Sequence, residues 1–243
     1  SERGSGTMQH SWYTGSWGMV LLVLLGPGLA AQGLDGPHAI ECADSGYRYV
    51  LYVPHHDLPA PLLVLLHGAG DTPEPMMDAW RRLAGREGIV LLAPTLPRVA
   101  AFEARAPAVF RCMVDAVERL TAVDPRRVYL FGHSMGGYLA YDAALLESRT
   151  FAAAAIHAMG IADDYTWIIG KAARKTPIAI YIGDRDRLVP LAGVRRTRDL
   201  LVADSFPVHY VELKGHDHDY YAMSDRIDAD AWKFLSAHSL PVP

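Results

Sequence analysis

Apolar runs alternate with amphipathic stretches along most of the chain. Residues 61–68, PLLVLLHG, are apolar almost without a break and end in glycine, as a strand buried on both faces does. Residues 89–94, 126–132, 151–160, 177–183 and 207–215 read the same way, whereas residues 47–53, YRYVLYV, alternate like a half-exposed strand. Between them lie helix patterns. Residues 75–88 form one, and in 107–123 Val109, Phe110, Met113, Val114, Val117 and Leu120 recur at helical spacing. Others follow Ser134, span 191–203 and close the chain over 226–237. Strands alternating with helices predict an α/β protein: one doubly wound, mostly parallel sheet with helices on both faces. No repeat or interdomain linker interrupts it.

The N-terminal segment breaks this pattern. Residues 1–7 precede the first methionine, Met8, and read as linker or upstream sequence. Residues 19–25 are apolar, 26–31 are rich in small residues, and the run is too short to span a bilayer. It resembles a signal peptide with cleavage near Ala30 or Ala31, although the stretch between Met8 and Met19 has no Lys or Arg and only His10 as a basic residue. Residues 1–35 are therefore read as a tail and 36–243 as the folded domain. Export to the periplasm or medium is expected, without a stable membrane span after processing. If the run is not a signal, the protein is cytoplasmic. Half the residues are apolar and the net charge is −4, with no basic run, which speaks against nucleic acid as a partner. Cys42 and Cys112 fit neither a disulfide framework nor a metal motif; a pair in an exported protein and two separate thiols both remain open.

Candidate chemistry changes the picture most at residues 127–146, RVYLFGHSMGGYLAYDAALL, where GHSMG places Ser134 between a strand and a helix. In a G-x-S-x-G corner the glycines admit a sharp turn that lifts the serine to the carboxyl ends of the strands. A serine hydroxyl needs a base, the base an orienting acid, and the oxyanion preorganised donors. For the acid, GDRDRLVP offers Asp184 and Asp186; Asp186 is preferred, with Asp184 shaping the turn. For the base, KGHDHDYY offers His216 and His218; loop length favours His218. The backbone N–H groups of Ala69, in HGAGDT, and of Met135 are the oxyanion candidates, with Gly68 and Gly70 shaping the substrate-facing loop. His67, His133 and His157 read as packed histidines, and His55 and His56 lack partners at metal spacing. No metal or other cofactor is implied. Trp167, with Ile168 and Ile169, either lines an acyl pocket or packs a helix on the sheet.

Together LLHGAGDT, GHSMGG, GDRDRLVP and KGHDHDYY resemble the α/β-hydrolase-fold serine esterases. They are most similar to the phospholipase/carboxylesterase group, which includes acyl-protein thioesterases, and to the polyhydroxybutyrate-depolymerase or feruloyl-esterase-like group. Acyl-protein thioesterases carry a similar HGLGDT loop, a GDxDxxVP turn and a histidine in x-G-x-x-H, which matches His218. S-formylglutathione hydrolases carry a similar GYDHSYY, again matching His218. The GHDW of other esterases matches His216 instead. The resemblance covers residues 40–240 and implies a triad of Ser134, His218 and Asp186 acting on a small-molecule carboxylic ester. Thioesters and peptides are the alternatives on the same triad, and a non-catalytic binding protein on this scaffold is the rival outside the enzymes. Asp186 lies only 52 positions after Ser134, which leaves little room for a lid, so an open site and soluble short-chain esters are expected.

Overall fold

The computed structural model describes residues 34–42, 45–55, 59–97 and 105–242. The N-terminal tail with its proposed signal segment, but for residues 34 and 35, and His56 lie outside them. The strands are β1 (Gly36–Cys42), β2 (Ser45–Tyr52), β3 (Ala60–Leu66), β4 (Val90–Pro94), β5 (Val123–His133), β6 (Ala153–His157), β7 (Ile178–Gly183) and β8 (Val208–Leu213). The helices are α1 (Pro73–Glu87), α2 (Ala106–Leu120), α3 (Met135–Leu146), α4 (Leu191–Ala203) and α5 (Ser224–Leu235), with 3-10 turns at Asp163–Lys171 and Tyr220–Met223. The eight strands form one sheet in the order β1-β2-β4-β3-β5-β6-β7-β8. From β4 through β8 neighbours are parallel, while β1 and β2 are antiparallel additions at one edge.

The continuous apolar runs follow from this architecture. In β3 every residue is buried, but successive side chains point to opposite faces. Leu62, Val64 and Leu66 belong to one buried cluster that also holds Val109, Phe110 and Met113 of α2, residues of α3, and Val194 of α4. Leu63 and Leu65 belong to the cluster on the other face, with Met76, Met77 and Trp80 of α1 and Ile227 and Ala231 of α5. Two covered faces leave no polar alternation for β3 to show.

Two sequence expectations need correction. Residues 36–42 had no predicted strand, yet β1 pairs with β2 over its whole length. Its residues alternate between half-buried and exposed up to the buried Cys42, and an edge strand with one partner has little apolar signature. The helix predicted over 107–123 stops at Leu120: Thr121 turns extended, and Val123 pairs with Ala60. The segment after β6 follows the second of its two alternatives, packing on the sheet. Ile168 and Ile169 are buried in the core, while Trp167 is 54% exposed and meets Tyr165 edge-on. Cys42 and Cys112 form a disulfide joining the end of β1 to α2, which settles the alternative left open above.

Candidate active site

The parallel strands all end on one edge of the sheet, and β5, β7 and β8 each deliver one polar side chain there. After β5 the chain turns at Ser134 with φ 52° and ψ −118°, a sparsely populated conformation for a residue with a side chain. The corner exists because its glycines have no side chains. A Cβ on Gly132 would lie 2.3 Å from the carbonyl oxygen of Gly136, and one on Gly136 would lie 2.0 Å from that of Leu66. The turn is held by the Ser134 N–H donating to the His157 carbonyl at 3.0 Å. Because α3 begins at Met135, the first N–H groups of that helix lack intrahelical acceptors.

Asp186 follows β7. Its Oδ1 accepts the backbone N–H groups of Leu188 at 2.8 Å and Val189 at 2.9 Å. Its Oδ2 accepts from His218 Nδ1 at 2.8 Å. The Asp186 side chain is wholly buried. An ionised carboxylate only accepts, so the bond puts the proton of a neutral His218 on Nδ1 and leaves Nε2 as an acceptor. That nitrogen stands 3.0 Å from Ser134 Oγ. The result is a line from hydroxyl to imidazole to carboxylate, able to withdraw the serine proton and stabilise the imidazolium that forms.

Asp184 and His216, the other residues of these two pairs, serve the loops. Asp184 Oδ1 accepts the Gly215 N–H at 2.6 Å, tying the turn that carries Asp186 to the loop that carries His218. His216 points into the core, where its Nε2 lies 3.2 Å from His157 Nε2. Burial outweighs the pull of Asp217 and Asp219 and lowers its basicity. The sequence placed those two aspartates beside it but did not show which way the ring turns.

The turn after β3 closes the other side. A Cβ on Gly68 would come within 3.7 Å of Ser134 Cβ, so this turn abuts the serine. The Asp71 N–H donates to the Gly68 carbonyl at 3.3 Å, and Gly70 adopts φ 82°. Ala69 lies exposed inside the turn. His67 packs within it: Nδ1–H donates to the Gly68 carbonyl at 2.9 Å and Nε2 accepts from the Leu96 N–H at 3.3 Å. Asp71 Oδ2 accepts the Tyr221 hydroxyl, so this turn is also tied to the segment after His218. Beside His218 opens a cleft of about 630 Å³ whose lining includes His133, Arg187, Leu188 and Tyr221. Trp167 is not among its lining residues.

Residues 63–238 match the model of the alpha/beta hydrolase family. The chain belongs to that family. Among solved structures, this hydrolase is similar to a thermostable esterase at 22% identity and a TM-score of 0.67, covering 84% of this chain and 62% of that one. It spans less than two thirds of that esterase. An S-formylglutathione hydrolase from Agrobacterium tumefaciens matches at 19% identity and a TM-score of 0.62, over 82% of this chain and 94% of that one. Esterase 2 from Thermogutta terrifontis, phosphorylated by paraoxon, matches at 17% identity and 0.69, over 84% and 95%. No curated protein sequence matches. At these identities the likenesses show the α/β-hydrolase fold.

Proposed function

We propose that this α/β hydrolase is a serine esterase acting on soluble, short-chain carboxylic esters. The observation that carries the reading is the line Ser134 Oγ–His218 Nε2–Asp186 Oδ2, with steps of 3.0 and 2.8 Å and a buried, doubly braced acid at its end. Ser134 attacks the ester carbonyl while His218 takes its proton. The tetrahedral oxyanion is held by the backbone N–H groups of Ala69 and Met135. His218 then protonates the departing alcohol, leaving an acyl group on Ser134. Water, deprotonated by His218, attacks that acyl group; the carboxylic acid leaves and Ser134 regains its proton. Gly68 and Gly70 keep the oxyanion turn close to Ser134. Esterases among the fold relatives point the same way.

The open cleft, with exposed Leu188 at its edge, supports short acyl chains over long ones. The Cys42–Cys112 disulfide and the apolar run at 19–25 together support export to an oxidising compartment.

Hydrolysis of p-nitrophenyl esters from acetate to decanoate tests the reading. Turnover is expected to be fastest on the shortest chains and to fall by roughly four orders of magnitude in Ser134→Ala and in His218→Ala, with the fold intact. A folded wild-type protein inactive on every chain length, or a Ser134→Ala variant with wild-type turnover, overturns it.

A further inference from the structure

Behind the proposed base lies a second set of imidazoles that the reaction does not use. His133 Nδ1 is 2.9 Å from His157 Nδ1, and His157 Nε2 is 3.2 Å from His216 Nε2. All three side chains are buried. They come from the ends of β5 and β6 and from the loop after β8, 24 and 59 residues apart in successive steps. We propose that His216, held through His157 and His133, is a positioning residue for His218: a buried chain of three neutral imidazoles fixes the base loop above Ser134. The proposal rests on the assignment of His218 as the base.

Buried ring nitrogens are costly unless hydrogen-bonded, and a neutral imidazole has one donor and one acceptor. Two bonds through His157 therefore link the tautomers of all three rings. Either His216 donates to His157 and His157 to His133, or both bonds run the other way. Both settings place the His216 ring at one point against β6. The backbone of His216 is fixed as well: its N–H donates to the Leu213 carbonyl at 3.2 Å, and its carbonyl accepts from the Arg185 N–H at 2.9 Å. A Cβ on Gly183 would lie 2.2 Å from that carbonyl oxygen, so the end of β7 makes room for it. His218 is two residues further on and inherits this anchoring. At the other end of the chain, the His133 ring stands 5.0 Å from that of His218, centre to centre.

The surroundings favour neutral rings. Tyr220 packs 5.8 Å from both His133 and His157. Asp71 from the turn after β3, Asp186 after β7, and Asp217 and Asp219 on the base loop all face the group and favour protonation, whereas His218 opposes it. For all three rings burial is the largest influence and keeps them below the usual imidazole range.

The test is the rate at which a fluorophosphonate phosphonylates Ser134, which needs the base but no particular ester. His216→Phe keeps a ring and removes Nε2. It is expected to slow phosphonylation by about tenfold or more, the cost of a misplaced base. With p-nitrophenyl acetate the loss should appear in kcat with KM unchanged. His216→Gln, whose amide reaches toward the same place, should retain most of the rate. A folded His216→Phe that reacts at the wild-type rate overturns this proposal alone. A wild-type protein that does not react overturns the proposed function with it. Nitrogen NMR on the wild type needs no variant: His133 and His157 should stay neutral at about pH 5.5, where an exposed imidazole protonates. Protonation of both there would equally overturn the chain.

Discussion

Two histidines two positions apart behave differently because their surroundings differ. His218 is partly exposed and bridges Ser134 and Asp186, while His216 is buried against His157. Loop length favoured His218 in the sequence. The partnership of His133, His157 and His216 was not legible there, since nothing local marks residues brought together only by strand order. Burial holds His133 at about 4. Between about pH 6.5 and 4 the unfolded ring therefore binds a proton that the folded ring does not, and stability falls as pH falls through that window. Each such ring accounts for at most about 1.4 kcal/mol per pH unit. Urea midpoints measured across this range should show a shallower slope for His133→Phe than for the wild type. Asp228 is the opposite case. It is buried, it accepts the Tyr220 hydroxyl at 2.6 Å, and burial raises it well above the usual carboxylate range. The folded state keeps a proton that the unfolded state releases above about pH 4, so this group costs stability as pH rises. Asp228→Asn keeps an acceptor for Tyr220 and removes that dependence. It should unfold at the same or higher urea concentration than the wild type at pH 7, and a lower midpoint there would contradict the assignment.

The corner after β5 and the loops after β7 and β8 act as a unit. Gly136 packs against the Leu66 carbonyl with no room for a methyl group, so Gly136→Ala forces the backbone of β3 or α3 to move. A loss of about 3 kcal/mol or more is expected in denaturant titration, together with loss of esterase activity. The sequence made this corner legible because both flanking glycines answer a steric demand. The two loops are joined by the Asp184–Gly215 hydrogen bond. Its removal in Asp184→Ala should cost about 1 kcal/mol and slow turnover several-fold without changing chain-length preference. Turnover equal to wild type would show that the loops hold their positions separately. Buried strands were legible as apolar runs, but β1 was not, because its pairing with β2 rather than its own burial makes it a strand. The end of α2 was missed for a related reason. Val123 continues the apolar spacing of the helix, yet it belongs to the strand that pairs with Ala60.

Across the molecule, the sheet order separates stability from the proposed chemistry. β1 lies at one edge and β8 at the other, so the disulfide at Cys42 is remote from the loops after β7 and β8. It closes a chain segment of 70 residues, and loop closure of that length is worth about 4 kcal/mol in the chain-entropy account. Cys42→Ala combined with Cys112→Ala should lower the unfolding midpoint markedly while leaving kcat on p-nitrophenyl acetate unchanged at low temperature. A loss of kcat in the folded double variant would mean that the edge hairpin supports the site. The central claim is that Ser134 is the nucleophile, and its most direct test is to treat the folded protein with paraoxon and map the adduct by mass spectrometry. The account predicts one phosphoryl group per chain, on Ser134, with one equivalent of p-nitrophenolate released and esterase activity lost in step. Inactivation with the phosphoryl group on another residue, or full activity retained after Ser134 is modified, would contradict it.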